Sequence, residues 1–233
     1  MKKILLLMCM AVCCFSVCMQ AQNTFNFPYS EVNGKIVISQ FQSLDGLAED
    51  DIFLNALLWV IQNGPQPEEK VLQVDYDKRQ FIVNLILENP KTSSHYRHSL
   101  SVRVSDNIIT MLISDITYEA ETAVIKLVKR LPFDKLQPDK KPKHKVLMDD
   151  FANMYKECAE QMFKFISTNQ LSAIMHWNEI KSKGAVKGMN QNECLLSLGK
   201  PASIQKQGNK EEWMYDTYTY LFFENGIVTS VIK

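Results

Sequence analysis

The sequence predicts an α+β protein: an antiparallel sheet covered on one face by helices, followed by a smaller α+β unit at the C-terminus. Three observations carry this. Four β-rich runs follow one another between residues 71 and 119 with only turn residues between them, so neighbouring strands run antiparallel. Residues 96–105 alternate: Tyr96, His98, Leu100, Val102 and Val104 share one side, and Arg97, Ser99, Ser101, Arg103 and Ser105 the other. That is the pattern of a sheet with one packed and one solvated face. Helical periodicity flanks the run at 47–63 and again at 146–166.

In chain order, residues 35–41 (KIVISQF) are β-branched and read as the first strand. Asp45 is placed to cap the helix that follows, over 47–63, where Leu54, Leu57, Leu58 and Ile61 share a face widened by Phe53 and Val60. Gly64 fits the position just past its end, and Pro65 and Pro67 stop it. Strands at 71–76 and 80–88 flank the tight turn Asp77-Lys78-Arg79. The strand at 96–105 turns at Asp106-Asn107 into one at 108–119, whose alternate residues are Ile108, Thr110, Leu112, Ser114 and Ile116. Residues 120–131 suit a helix or a strand equally. Residues 132–145, with Pro132, Pro138, Pro142 and five lysines, read as an exposed connector. Leu147, Phe151, Met154, Tyr155, Cys158, Met162, Phe165 and Ile166 then step by three and four along the clearest helix, and 171–181 reads as a shorter second one. The first unit therefore runs β-α-β-β-β-β-α over residues 22–168, and the second occupies 169–233.

The 233 residues balance 26 Lys+Arg against 26 Asp+Glu, which argues against a nucleic-acid partner, since phosphate neutralisation needs a cationic excess. Hydrophobic residues make up 46 %, an ordinary globular composition, and no Gly-rich phosphate loop is present.

Residues 1–21 differ from the rest. Lys2 and Lys3 precede an apolar run from 4 to 17 broken only by Ser16, and Ala21 is followed by the polar Gln22-Asn23-Thr24. This reads as a cleavable export signal, too short for a comfortable membrane span of about 20 residues. The expectation is an exported protein beginning at Gln22, periplasmic or associated with the outer membrane. A lipoprotein anchored at Cys18 is the alternative, although none of Cys9, Cys13, Cys14 and Cys18 follows the small residue a lipidated cysteine usually does. Membrane association is otherwise expected only through a partner. Cys158 and Cys194 remain, both on apolar stripes and both expected to be buried, as a disulfide pair or as two packed thiols.

The element order resembles the TATA-binding-protein-like half-fold, and with it a secreted Bacteroides-type domain of unknown function. The supporting residues are Gly34-Lys35-Ile36-Val37, the helix ending in Leu58-Trp59, and Asp115-Ile116-Thr117-Tyr118. The resemblance covers residues 30–166, implies the fold, and carries no catalytic residues; the fold name does not imply DNA binding. Further on stand Gly188-Met189 with Glu193-Cys194, Leu198-Gly199-Lys200-Pro201, Trp213-Met214-Tyr215, and Phe223-Glu224-Asn225-Gly226-Ile227-Val228. Residues 184–233 thereby resemble the BamE (SmpA/OmlA) family of small outer-membrane lipoproteins, whose pattern is G-M-x-x-x-E-V, L-G-x-P, W-x-Y and F-x-x-G-x-V, with Cys194 where that family has Val. The residues themselves read the same way: Asn190 caps a short helix, Gly199 ends it in the left-handed region, Pro201 prevents continuation, and Asn225-Gly226 makes a hairpin turn.

No catalytic, cofactor-binding or metal-ligating set emerges. His95 and His98 fall on opposite faces of one strand, His144 lies in the connector, and His176 stands alone beside Trp177. Asp50-Asp51 and Asp149-Asp150 sit near helix starts, where acids complement the dipole. Lys135, Lys140, Lys141, Lys143 and Lys145 read as a solvated linker. The candidate interaction surface is the aromatic hairpin carrying Trp213, Tyr215, Tyr218 and Tyr220, with core packing the leading role for Trp213 and Phe222. The leading functional expectation is a non-catalytic, secreted cell-envelope protein with no cofactor. It acts through contacts with an envelope protein partner, in outer-membrane assembly or maintenance. The alternatives are an enzyme or enzyme regulator with a groove at the junction of the two units, and a module that binds a glycan or lipid fragment.

Overall fold

The computed structural model describes residues 30–32, 35–121, 128–137 and 140–233. The segment read as an export signal, with its four cysteines, and residues 122–127 of the ambiguous stretch at 120–131 lie outside the described residues; the described ends of that stretch are strand.

Seven antiparallel strands form the first sheet: β1 (Ser30–Val32), β2 (Lys35–Ser43), β3 (Gln66–Asp75), β4 (Gln80–Glu88), β5 (Ser94–Ser105), β6 (Ile108–Glu121) and β7 (Val128–Pro132). Their order is β1-β2-β6-β5-β4-β3. Paired with β5 along one edge, the long β6 serves two partners along the other, β2 at Ile108–Ile113 and β7 at Thr117–Glu121. It changes between them at Asp115, whose φ is +54°, opposite a register shift between Arg97 and Ser99 of β5. This bulge decides which side chains point inward. Before it the buried residues are Ile109, Met111 and Ile113, and after it Ile116. The set Ile108, Thr110, Leu112 and Ser114 therefore faces outward, and the even spacing that joins it to Ile116 in sequence breaks at the bulge.

Helix α1 (Glu49–Gln62) carries the chain from β2 to β3, at the far edge of the sheet, and so crosses the packed face. Glu49, Asp50 and Asp51 fill its first turn. Asp45 does not cap it: the N-cap is Ala48, and the Asp45 carboxylate instead accepts from the Ser43 hydroxyl at 2.7 Å. At the other end the Asn63 and Gly64 N–H groups both donate to the Trp59 carbonyl. β3 begins immediately at Gln66, and Pro67 is accommodated because this strand is an edge.

Helix α2 (Pro142–Thr168) is longer than its apolar stripe, because Pro142 at its start is pre-set for the first helical turn. Its buried residues are Met148, Phe151, Ala152, Tyr155, Ala159, Met162, Phe163 and Ile166, while Leu147, Met154, Cys158 and Phe165 are half-buried at the margins. The stretch before α2 is only partly a connector. Phe133, in a short 3-10 turn at Phe133–Lys135, is fully buried, with its ring centroid 6.0 Å from Tyr96 and 5.6 Å from Phe151. Five exposed lysines surround it in sequence and conceal it.

The helix expected over 171–181 shrinks to α3 (Trp177–Lys181), because the N–H groups of Met175 and His176 bond the Glu193 carboxylate instead. Helix α4 (Gln191–Leu198) and a meander of β8 (Ser203–Gln207), β9 (Lys210–Met214), β10 (Tyr220–Glu224) and β11 (Ile227–Ile232) complete the fold. Ile180, Met189, Cys194, Trp213, Leu221, Phe223 and Val228 belong to the same hydrophobic cluster as Leu57, Phe81 and Phe151, so one core runs through both units. No helix among the described residues is long and apolar enough to cross a membrane.

His98 is a polar intrusion in that core. Its ring packs against Phe151 and Tyr155 at 5.5 and 5.3 Å, and its Nε2 has no hydrogen-bond partner. Burial lowers its pKa to about 4. The unfolded chain takes up this proton as pH falls through about 6.5 while the folded protein resists it. Stability contributed by neutral His98 is thus complete above that pH and is lost on the way down to about 4, amounting to roughly 3 kcal/mol. Urea midpoints measured across this window should fall steeply for the wild type and more shallowly for His98→Leu; parallel curves would contradict the burial of a neutral ring.

Candidate functional site

Glu193 organises the second unit. The Asn190 side chain accepts from the Glu193 N–H at 3.0 Å and the Glu193 carboxylate accepts from the Asn190 N–H at 2.8 Å, a reciprocal cap on α4. The same carboxylate accepts from the Met175 N–H at 2.6 Å and the His176 N–H at 3.0 Å, and lies 3.1 Å from His176 Nδ1. These donors are captured from the segment before α3, which is why no helix forms through 171–176. Burial alone would raise the Glu193 carboxyl, but the N–H groups of Asn190, Met175 and His176 and the imidazole outweigh it and hold the pKa below the usual range. At the other end of α4, the Ser197 hydroxyl lies between the carbonyls of Glu179 and Gly184, and the Tyr76 hydroxyl donates to the Leu196 carbonyl at 3.1 Å. That carbonyl is among the last four of the helix and has no partner within it. Gly199 follows at φ +78° and ψ −160°, outside the left-handed helical region and accessible to glycine alone.

The small sheet has two unlike faces. Trp213, Tyr215, Leu221, Phe223 and Val228 point inward, with Trp213 and Phe223 centroids 4.6 Å apart. Cross-strand register places Met214 opposite Tyr220 and Tyr220 opposite Ile232 on the outer face, and Glu212 opposite Phe222. Of the four aromatic residues singled out as an interaction surface, Trp213 and Tyr215 are therefore core residues. They share the parity that turns β9 inward, and burial pushes the Tyr215 phenol far up. Tyr220 is half-buried on the outer face. Tyr218 is 75 % exposed at the tip of a loop fastened by Asp216, whose carboxylate accepts from the N–H groups of Tyr218 and Thr219 and from the Thr219 hydroxyl. Phe222, expected in the core, lies outside, and its neighbour Phe223 takes the inner place. Thr229, the extra residue of a bulge in β11, donates to the Phe222 carbonyl and helps shape an outer groove of about 630 Å3 floored by Phe222. Asn225 and Gly226 make the β10–β11 turn with positive φ at both positions, as the two-residue hairpin requires.

His95 and His98 do point to opposite faces. His95 sits on the open face of the large sheet, where Glu119 receives it at 2.9 Å, Arg97 at 2.9 Å and Arg130 at 2.9 Å. Burial pushes the Glu119 carboxyl up, and hydrogen bonds from Arg97 and His95 with the charges of Arg97 and Arg130 more than reverse this. This cluster escaped sequence reasoning because Glu119 and Arg130 meet His95 only through strand register. Its one visible signal was the shared parity of His95 and Arg97. His144 accepts through Nδ1 from the Gln137 N–H at 2.9 Å and so fastens the turn into α2. Asp50 pairs with Arg79, and Asp149 and Asp150 are exposed. Cys158 and Cys194 are separate free thiols; Cys158 is only half-buried because it lies at the margin of the α2 stripe, whereas burial pushes Cys194 up to about 12. Among the described residues no three His, Cys, Asp or Glu side chains converge as a metal site.

The chain is similar in structure to a TBP-like protein from Parabacteroides distasonis. The match covers 61 % of this chain and 99 % of that one, at 14 % identity and a TM-score of 0.51. It also aligns with a DUF4468 family protein from Bacteroides ovatus, over 63 % of this chain and 94 % of that one, at 12 % identity and a TM-score of 0.43. No family model and no curated protein matches the sequence. The class is thus a TBP-like α+β fold, here with a separate four-stranded antiparallel sheet at its C-terminus.

Glu193→Gln should leave the cap geometry in place yet turn an amide NH2 toward N–H donors. A loss of about 1–3 kcal/mol in urea unfolding at neutral pH is expected. Wild-type stability from this group is present above the unfolded carboxylate range and lost as pH falls through the folded pKa, so the variant's deficit should narrow in acid. A variant as stable as wild type at pH 7 would remove Glu193 from its organising role.

Proposed function

We propose that the protein is exported to the cell envelope and acts by binding another envelope protein, with no chemistry of its own, through the outer face of the small sheet. The observation that carries this reading is the row Met214, Tyr220 and Ile232 beside Phe222, with Tyr218 projecting at its end. Aromatic residues and Met are the types that protein interfaces concentrate, and the inner face of the same sheet already fills the core without them. The export-type N-terminus supports the compartment. The BamE-like pattern over 184–233 supports a role in outer-membrane assembly or maintenance, where that family's members are found.

A photo-crosslinking residue placed at Tyr218 in the exported protein, in its native host, should give a discrete protein adduct. Phe222→Ser should abolish that adduct, because truncating a central aromatic anchor typically costs 2 kcal/mol or more of binding, about thirtyfold in affinity. Its own melting temperature should change little, as expected for a partly exposed position. Absence of any adduct, or an adduct indifferent to Phe222→Ser, contradicts the assignment.

A further inference from the structure

A second concavity lies where the two units meet, between the start of α1, the β3–β4 turn and α3, with a volume of about 460 Å3. Phe53 and Leu54 form its apolar floor and Trp177 and Tyr76 one wall. Trp177 is 37 % exposed, whereas Trp59 and Trp213, the other tryptophans of the chain, are each 4 % exposed. The indole packs against Tyr76 in this half-exposed position. The contact is T-shaped, at 6.0 Å and 77°, and Tyr76 is itself fixed by Phe53 at 5.9 Å and by its hydroxyl on the Leu196 carbonyl.

The polar rim is made of two ion pairs. Arg79 Nε binds Asp50 at 2.6 Å, with a second contact to Glu49 at 3.1 Å, and Lys181 Nζ binds Asp77 at 2.9 Å. Asp77 is 85 % exposed, so its carboxylate keeps acceptor capacity toward the groove after pairing. Mutual pairing leaves no cationic excess to attract a phosphate or carboxylate. A cationic ligand fares no better: each rim carboxylate already holds a cation. What remains is a site with one aromatic platform and a ring of alternating donors and acceptors. That pattern matches a neutral molecule with one C–H face and hydroxyls around its edge.

We propose that this groove binds a neutral pyranose ring of an oligosaccharide. The apolar face of the sugar lies on Trp177, and its hydroxyls donate to Asp77 and Asp50 and accept from Lys181 and Arg79. The groove is open, which suits an internal ring of a chain. The size falls in the ordinary range of small-molecule clefts.

Because Trp177 is the exposed one of three tryptophans, the acrylamide-accessible part of the protein's emission reports on this groove. Titration with chitotetraose, cellotetraose and maltotetraose should give, for at least one, a saturable emission shift with reduced acrylamide quenching at millimolar concentration or below. By calorimetry, Asp77→Asn, at an exposed position, should weaken that binding about tenfold, a change of 1.4 kcal/mol. Trp177→Ala should abolish it, and Trp177→Phe, which keeps a ring on the same backbone, should weaken it if the alanine variant fails to fold. No saturation by any of the three sugars at ~10 mM overturns the proposal, since that corresponds to no more than a few kcal/mol of binding. So does sugar binding indifferent to both Asp77→Asn and Trp177→Phe, or a saturable shift with tetramethylammonium instead. Phe222 and Tyr218 lie on the other sheet, so this proposal and the protein-partner reading fail separately.

Discussion

Nine consecutive residues of α1, from Ile52 to Val60, are buried, and a helix that turns every 3.6 residues points nine consecutive side chains in every direction. Such a helix has to be wrapped. The large sheet takes one side, and α2 and α4 take others. Each fully buried Leu, Ile or Phe contributes about 1.5–3 kcal/mol, so leaving one flank of α1 in water would cost several such contributions. The polar member of the run, Asn55, is matched from outside: the Asn169 amide donates to its side-chain oxygen at 2.7 Å, just where α2 ends. The position of α2 and the need to cover α1 are therefore linked through one amide pair, Asn55 buried and Asn169 at its margin.

From this constraint follows the dependence of the second unit on the first. α4 is short and its own ends are held by other segments: Glu193 by Met175 and His176, Ser197 by Glu179 and Gly184, and Leu196 by Tyr76 from the large sheet. A sheet of four short strands buries too little by itself to be secure. Docked on α1 through α4 it gains a shared core, and its outer face becomes a fixed surface. The groove beside Trp177 is a by-product of the same docking, since Tyr76 both closes the junction and props the indole.

Much of this was legible where packing follows local periodicity. The alternation through 96–105, the capped turn at Asn190 and the hairpin at Asn225-Gly226 all stand where their sequence puts them. What escaped was set by register or by distant donors. A single bulge at Asp115 reversed the inward set of β6. Adjacent Phe222 and Phe223 are indistinguishable by composition, and only strand parity decides which is core. The residues before Trp177 have helical spacing, yet their N–H groups are taken by a carboxylate 17 and 18 residues away. The candidate surface was half visible for the same reason: aromatic content marked the hairpin, while the face each ring takes depends on pairing.

Native-state hydrogen exchange tests most directly the claim that α1 binds both units into one core. The slowest amides of α1, of α4 and of β10 should share one opening free energy equal to that of global unfolding, and Leu58→Ala, at a fully buried position, should lower all three together. Exchange in residues 191–224 at a distinctly lower free energy, unmoved by Leu58→Ala while α1 responds, would show two independent units and contradict the account.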